Sequence, residues 1–189
     1  SGLTWRQIIV LRAYAKYLRQ VGIPFSETYM IETLSGNASI TRDVIALFGE
    51  LFDPEKQKAR SGAKKLRNRI SPALDKVQNL DEDRILRRFV NLVESTLRTN
   101  FYQTDQDGER KSYVSFKLDS GNIEDLPLPR PMREIFVYSP RMEGLHLRGI
   151  EGGGHGRSGC FCLTVGALRF CLHNTLPSLA SLATSYIRC

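Results

Sequence analysis

In the first hundred residues, apolar positions recur every three or four residues; from about residue 112 they recur every second residue. That change of period predicts helices first and strands afterwards. Thr4-Trp5-Arg6-Gln7 has the form of a capping box, and Ile8, Leu11, Ala15 and Leu18 follow on one helical face. Gly22 and Pro24 stop that helix, and Ser26 is placed to cap a second, "ETYMIETL", which ends at Gly36-Asn37. "TRDVIALFGELF" predicts a third helix with Val44, Ile45, Phe48, Leu51 and Phe52 on its apolar side. Asp53-Pro54 breaks it, and Pro54 suits the first turn of a fourth. The strongest helical signal is "NLDEDRILRRFVNLVESTLRTNFY", where Ile85, Leu86, Phe89, Leu92, Val93 and Leu97 repeat on one side.

"DQDG" at 105–108 reads as a turn. Three alternating runs follow: Tyr113, Val114, Phe116 and Leu118; Ile135 to Tyr138; and Leu145 with Leu147. Between the first two, the prolines of "DLPLPRP" forbid helix and predict a stiff, extended crossover. The expected fold is therefore α+β: a helical N-terminal region, then a small and incomplete antiparallel β-sheet. The expected organisation is a helical region over 1–100, first strands over 101–149, and an atypical tail over 150–189.

Composition sharpens the last boundary. Residues 1–150 carry 24 Lys+Arg and 19 Asp+Glu and no cysteine, whereas 151–189 hold all four cysteines and only Glu151, Arg157, Arg169 and Arg188 as charges. A surface in water needs charge, so the tail reads as a different kind of sequence. A long cysteine-free stretch fits a reducing compartment. The N-terminus has no basic and apolar leader pattern and starts directly in a helix pattern, which suggests a start inside a larger polypeptide. The apolar tail is interrupted too often for a membrane span.

The candidate chemistry is sparse. Gly154-His155-Gly156-Arg157-Ser158-Gly159 matches G-x-G-x-x-G, but no Asp or Glu follows it and "CFCLTV" reads as strand, so a chance match in a glycine-rich stretch is the preferred reading. Cys160, Cys162, Cys171 and His173 are a ligand set in type, but C-x-C-x8-C-x-H is not a common zinc spacing, so no metal is expected. His146 sits on an alternating strand and reads as a surface or packing residue. Asp81, Glu82 and Asp83 crowd a helix start, where the helix dipole favours them without catalysis. The net charge is +7. Lys56, Lys58, Arg60, Lys64, Lys65, Arg67 and Arg69 concentrate part of it in 55–70, which admits a helical module for RNA or another polyanion. No aromatic residue lies between Asp53 and Arg88 to stack on bases, so a solvated helix is preferred.

The strings "LRAYAKYLRQVGIPFSETYMIETL", "ELFDP", "NLDEDRILRRFVNLVESTLRTNFYQ", "YVSFKLDS" and "LPLPRPMREIFVYSPRMEGLHLRG" together resemble the large-subunit bacterial NAD-specific glutamate dehydrogenases, from about Leu3 to Gly149. The resemblance implies a cytoplasmic oxidoreductase of glutamate catabolism that uses NAD to convert L-glutamate to 2-oxoglutarate and ammonia. It also implies a homo-oligomer, with neither nucleic acid nor membrane as partner, and makes the sheet the start of the substrate domain. In such an enzyme a glycine-rich substrate segment and catalytic lysines come next, and then the nucleotide domain. Here Lys117 is the last lysine, so no catalytic and no cofactor-binding residue carries over. Arg148, at the strand end beside the expected substrate loop, is the single substrate-adjacent candidate. The expectation is a fragment that is inactive alone, its last 40 or so residues arising from a shifted reading frame, a retained non-coding stretch or a join.

Overall fold

The computed structural model describes residues 2–56, 61–126, 130–150, 160–165 and 168–173. The chain divides into two compact units, Ser1–Glu94 and Ser95–Cys189. Five helices fill the first: α1 (Trp5–Gln20), α2 (Glu27–Gly36), α3 (Ala38–Phe52), α4 (Ser61–Leu74) and α5 (Leu80–Ser95), whose final residue belongs to the second unit. The α+β expectation holds: these helices precede an antiparallel sheet.

α1 begins as its sequence dictates. The Gln7 N–H donates to Thr4 Oγ1 at 3.3 Å, and the Thr4 N–H donates to the Gln7 side-chain oxygen at 2.8 Å. Two of the helix's free donors are thereby satisfied. Gly22 at φ +88° turns the chain away after α1, a conformation that costs glycine little. Leu11, Ala15 and Leu18 are buried as expected, but the stripe is centred on Tyr14 and Tyr17, and Ile8 at its edge is 37% exposed. Ser26 Oγ accepts from the Tyr29 N–H and caps α2. α3 starts earlier than the apolar pattern suggests. Asn37 both ends α2 and opens α3, and its amide donates to Thr33 O at 3.0 Å and Glu82 Oε2 at 2.9 Å. Tyr14 meets Phe48 edge-on with ring centroids 6.5 Å apart, and Met30, Leu47, Ile70, Leu86 and Phe89 complete the interior.

Pro54 does not open the fourth helix: residues 54–56 form a turn and α4 starts at Ser61. α4 and α3 approach closely at Gly62, where an added Cβ would run into the Glu50 carboxylate.

The second unit is a meander: β1 (Thr96–Thr99), β2 (Val114–Leu118), β3 (Pro131–Ser139), β4 (Met142–Ile150), β5 (Cys160–Val165) and β6 (Leu168–His173), paired in that order. The helical period read through Leu97 stops at Ser95. Thr96–Thr99 pairs instead with β2, with a register irregularity between Thr96 and Arg98, and Leu97 is 44% exposed. β1 is short, and a side chain extends its ladder. Asn100, 1% exposed, accepts from the Ser115 N–H at 2.7 Å and donates to Tyr113 O at 3.3 Å. The 105–108 turn is present: Asp105 Oδ1 accepts from the Asp107 and Glu109 N–H groups, and Gly108 takes φ +79°.

The three expected strands are β2, β3 and β4. Val114, Phe116 and Leu118 lie opposite Tyr138, Phe136 and Glu134, and these lie opposite Glu143, Leu145 and Leu147. A two-residue turn, Pro140-Arg141, joins β3 to β4; Ser139 Oγ accepts from the Arg141 and Met142 N–H groups and closes it. In the crossover before β3, a 3₁₀ turn at Ser120–Asn122 leads to buried Ile123 and Leu126, and Asp125 takes φ 59°. Residues 127–129 of the expected proline-rich segment lie outside the described residues.

Candidate functional site

The strand end that the sequence singles out is built from β2, β3 and β4. Arg148 occupies β4 opposite Arg133 of β3. Arg133 is already engaged: its Nη1 donates to Asp119 Oδ1 and to Met132 O, both at 2.6 Å. Asp119 directly follows β2, and its N–H donates to Ser95 O at 2.8 Å, so the acceptor is held by backbone as well as by its partner. The Arg133 and Asp119 side chains remain 40% and 19% exposed, so the pair orients the arginine more than it stabilises the fold. One residue along β3, Glu134 is 2% exposed and lies opposite Leu118 and Leu147. This end of the sheet thus sets two arginine positions and Asp119 on one face, with Glu134 at the neighbouring position that faces the other way. Arg133 and Asp119 escaped the sequence reading because "REIF" looks like an ordinary edge of a strand. Only the register reveals that its arginine faces Arg148.

β4 then leads into the glycine-rich run. Gly154–Gly159 lies outside the described residues, but the next element is β5, a strand. A dinucleotide cradle of this type needs its glycine turn to open a helix, whose free N–H groups face the pyrophosphate. A strand at this place does not fit that cradle for NAD. His146 lies within β4, opposite Ile135 and Phe161. Asp81, Glu82 and Asp83 occupy the first turn of α5, as their helix-start reading requires. Among residues whose side chains are described, no group of three or more His, Cys, Asp or Glu is arranged to hold a metal ion.

Three of the seven basic residues of the 55–70 segment are paired within their own unit. Arg67 Nε donates to Glu94 at 2.6 Å, Lys56 pairs with Glu50 at 3.3 Å, and Arg69 grips Asp43 with two nitrogens. The hydrogen bond to Asp43, aided by its charge, raises the Arg69 pKa above its ordinary value. The hydrogen bonds that Arg87 donates to Asp83 and Asp75 raise its pKa likewise. Both shifts keep charged a group that is already charged at neutral pH. Lys64 and Lys65 are exposed on α4, while Lys58 and Arg60 lie outside the described residues. A groove beside α4, lined by Asn37, Ser39, Asn68, Arg69, Pro72 and Lys76, contains no aromatic stacking surface. Among the described residues no helix is long and apolar enough to cross a membrane.

A helical unit followed directly by an antiparallel meander is the class of structure that the geometry defines. Residues 1–54 match the family model of glutamate dehydrogenase helical motif 3, and residues 69–159 match that of the bacterial NAD-glutamate dehydrogenase catalytic domain. The second match continues past Gly149, where the likeness read from the sequence ends. The chain is 43% identical over 149 residues to the NAD-specific glutamate dehydrogenase of Halomonas elongata. It is 46% identical over 153 residues to that of Pseudomonas aeruginosa, and 46% over 151 residues to that of Mycobacterium tuberculosis. These alignments cover 78–79% of the chain and 9% of each relative. The chain belongs to the bacterial NAD-glutamate dehydrogenase family, and spans about 9% of the length of the relatives it matches.

Proposed function

We propose that this chain is a piece of a cytoplasmic, homo-oligomeric NAD-dependent glutamate dehydrogenase, acting on neither nucleic acid nor membrane. The intact enzyme would convert L-glutamate, NAD⁺ and water to 2-oxoglutarate, ammonium, NADH and a proton. In this reading residues 1–100 are the helical region that precedes catalysis, and 101–149 are the first strands of the glutamate-binding part. The residues after 159, past the end of the catalytic-domain match, are a tail of different origin. The contribution of the strands is positional. In this reading Arg148, at the end of β4, would stand beside the loop where substrate binds, and Asp119 would keep Arg133, at the register position opposite, in place. The observation that carries this reading is the ordered match of both segments to one family, with β2 to β4 lying inside the catalytic-domain match.

The same residues support the reading that the chain does not turn over glutamate alone. Hydride transfer needs a nucleotide cradle, a grip on the carboxylates and a proton acceptor, held together. The glycine run leads into a strand, and no lysine follows Lys117. Purified chain with saturating L-glutamate and NAD⁺ should form NADH at the background rate. Dehydrogenase activity that follows the chain through two orthogonal columns and disappears in the Gly154→Ala/Gly156→Ala variant would overturn this.

A further inference from the structure

We propose that the helical unit pairs with a second copy of itself, Trp5, Ile8 and Arg12 of α1 meeting Leu80 and Asp81 of α5 in the other copy. A surface helix turns its apolar stripe inward, and α1 does so with Val10, Tyr14, Tyr17 and Leu18. Trp5 and Ile8 depart from that rule at 67% and 37% exposed. Arg12 continues their line one turn further along the helix. It is exposed and has no ion-pair partner among the described residues. α1 carries no Asp or Glu. The Arg6 guanidinium, 5.6 Å from the centre of the Trp5 ring, adds to the positive charge of this stripe.

α5 offers the complement. Leu80 opens that helix at 62% exposed. Beside it the Asp81 side chain is 52% exposed, with a loose contact to Arg84 at 3.7 Å. The next two carboxylates are engaged within the unit: Glu82 accepts from Asn37 and Asp83 from Arg87. Each patch thus sets apolar surface beside one available charge, and the two charges are opposite. Both patches stay open to solvent within one copy, so neither covers the other. A two-fold axis would bring the α1 patch of each copy to the α5 patch of its partner, so the contact forms twice and closes at two copies. Trp and Arg are the residues that most often anchor an interface. The patches are small, which places the pair in the weak, transient class. Other occupants fit less well. A single aromatic gives a nucleic acid no stacking path, and a membrane surface needs the apolar face that α1 buries.

The test uses the full chain in sedimentation velocity between about 1 μM and 1 mM, the range of weak pairing. A monomer should give way to a dimer as concentration rises. Emission from Trp5, the chain's single tryptophan, should move to shorter wavelength as its ring leaves water. Trp5→Ala should weaken pairing about tenfold or more. Arg12→Glu and Asp81→Arg should each weaken it about tenfold, because each sets like charges face to face. Mixed one to one, those two variants should pair as tightly as the unaltered chain, because the two reversals then meet each other. Leu97→Ser, at an exposed apolar position of the sheet unit, should leave pairing unchanged. The proposal fails if the chain stays monomeric throughout, or forms species that keep growing beyond two copies. It fails equally if Trp5→Ala pairs normally, or if the mixture pairs no better than either charge variant alone. A monomeric chain whose Trp5 emission shifts on anionic lipid vesicles or on polyglutamate would also overturn it, since the patch then has a different occupant. None of these readouts depends on dehydrogenase activity.

Discussion

In the helical unit the buried side chains are almost all hydrocarbon and ring, with Thr33 and Thr41 as buried polar residues; in the sheet unit Ser95, Thr96, Asn100, Ser115, Ser120 and Glu134 are buried among the apolar ones. The difference follows from where each backbone finds its partners. A helix satisfies its own interior, so polar side chains are needed only at its ends, as at Thr4 and Ser26. A strand must find its partner elsewhere in the chain. β1 stops at Thr99, and beyond it Asn100 takes up the Ser115 N–H and the Tyr113 carbonyl. The sheet therefore places polar groups in its interior, where losing one costs more than losing a surface cap.

The largest test of this contrast removes a ring from each unit. Phe89 and Phe116 are both fully buried, and either one replaced by alanine should cost about 3–5 kcal/mol. Denaturant unfolding followed by amide exchange should show lost protection in the helices for Phe89→Ala and in β2 to β4 for Phe116→Ala. A cost below about 1 kcal/mol for Phe116→Ala, well short of a buried ring's usual value, would mean that backbone pairing alone holds the sheet.

A smaller effect isolates the polar interior. Asn100→Ala should cost about 1–3 kcal/mol by removing the hydrogen bonds to the Ser115 N–H and the Tyr113 carbonyl. The Ser115 amide should then exchange faster than its neighbours in β2. An unchanged Ser115 rate would show that the side chain does not extend the ladder.

The smallest effect belongs to the helical unit. Thr4→Ala should cost about 1 kcal/mol, within the usual 0.5–2 for a lost cap, and Thr4→Ser should restore it. If Thr4→Ala proves as costly as Asn100→Ala, the distinction between end and interior polar groups does not hold for this chain.

What the sequence revealed follows the same division. The α1 and α2 caps were legible because donor and acceptor lie three residues apart. The α5 stripe was legible because its period is long and clean. α3's start was hidden because Asn37 spends its amide on Thr33 and on Glu82, 45 residues away, rather than on its own helix. The strand at 96–99 was hidden because its partner, β2, begins 15 residues after it ends, and local pattern favours continuing the helix. The strand-end site was half legible. Arg148 stood out by its place before the glycines, but Arg133 and Asp119 join it only through the register of three strands.

The strand order of the meander also has a meaning in time. Each strand pairs only with the strands immediately before and after it in the chain, so no strand waits for a distant partner. A ribosome adds roughly 5–20 residues per second. A hairpin closes in about 1–10 μs. Each newly emerged strand can therefore settle on its predecessor long before its successor is made. The nascent sheet then presents a single growing edge to its surroundings, and short sequence separations of this kind favour fast folding.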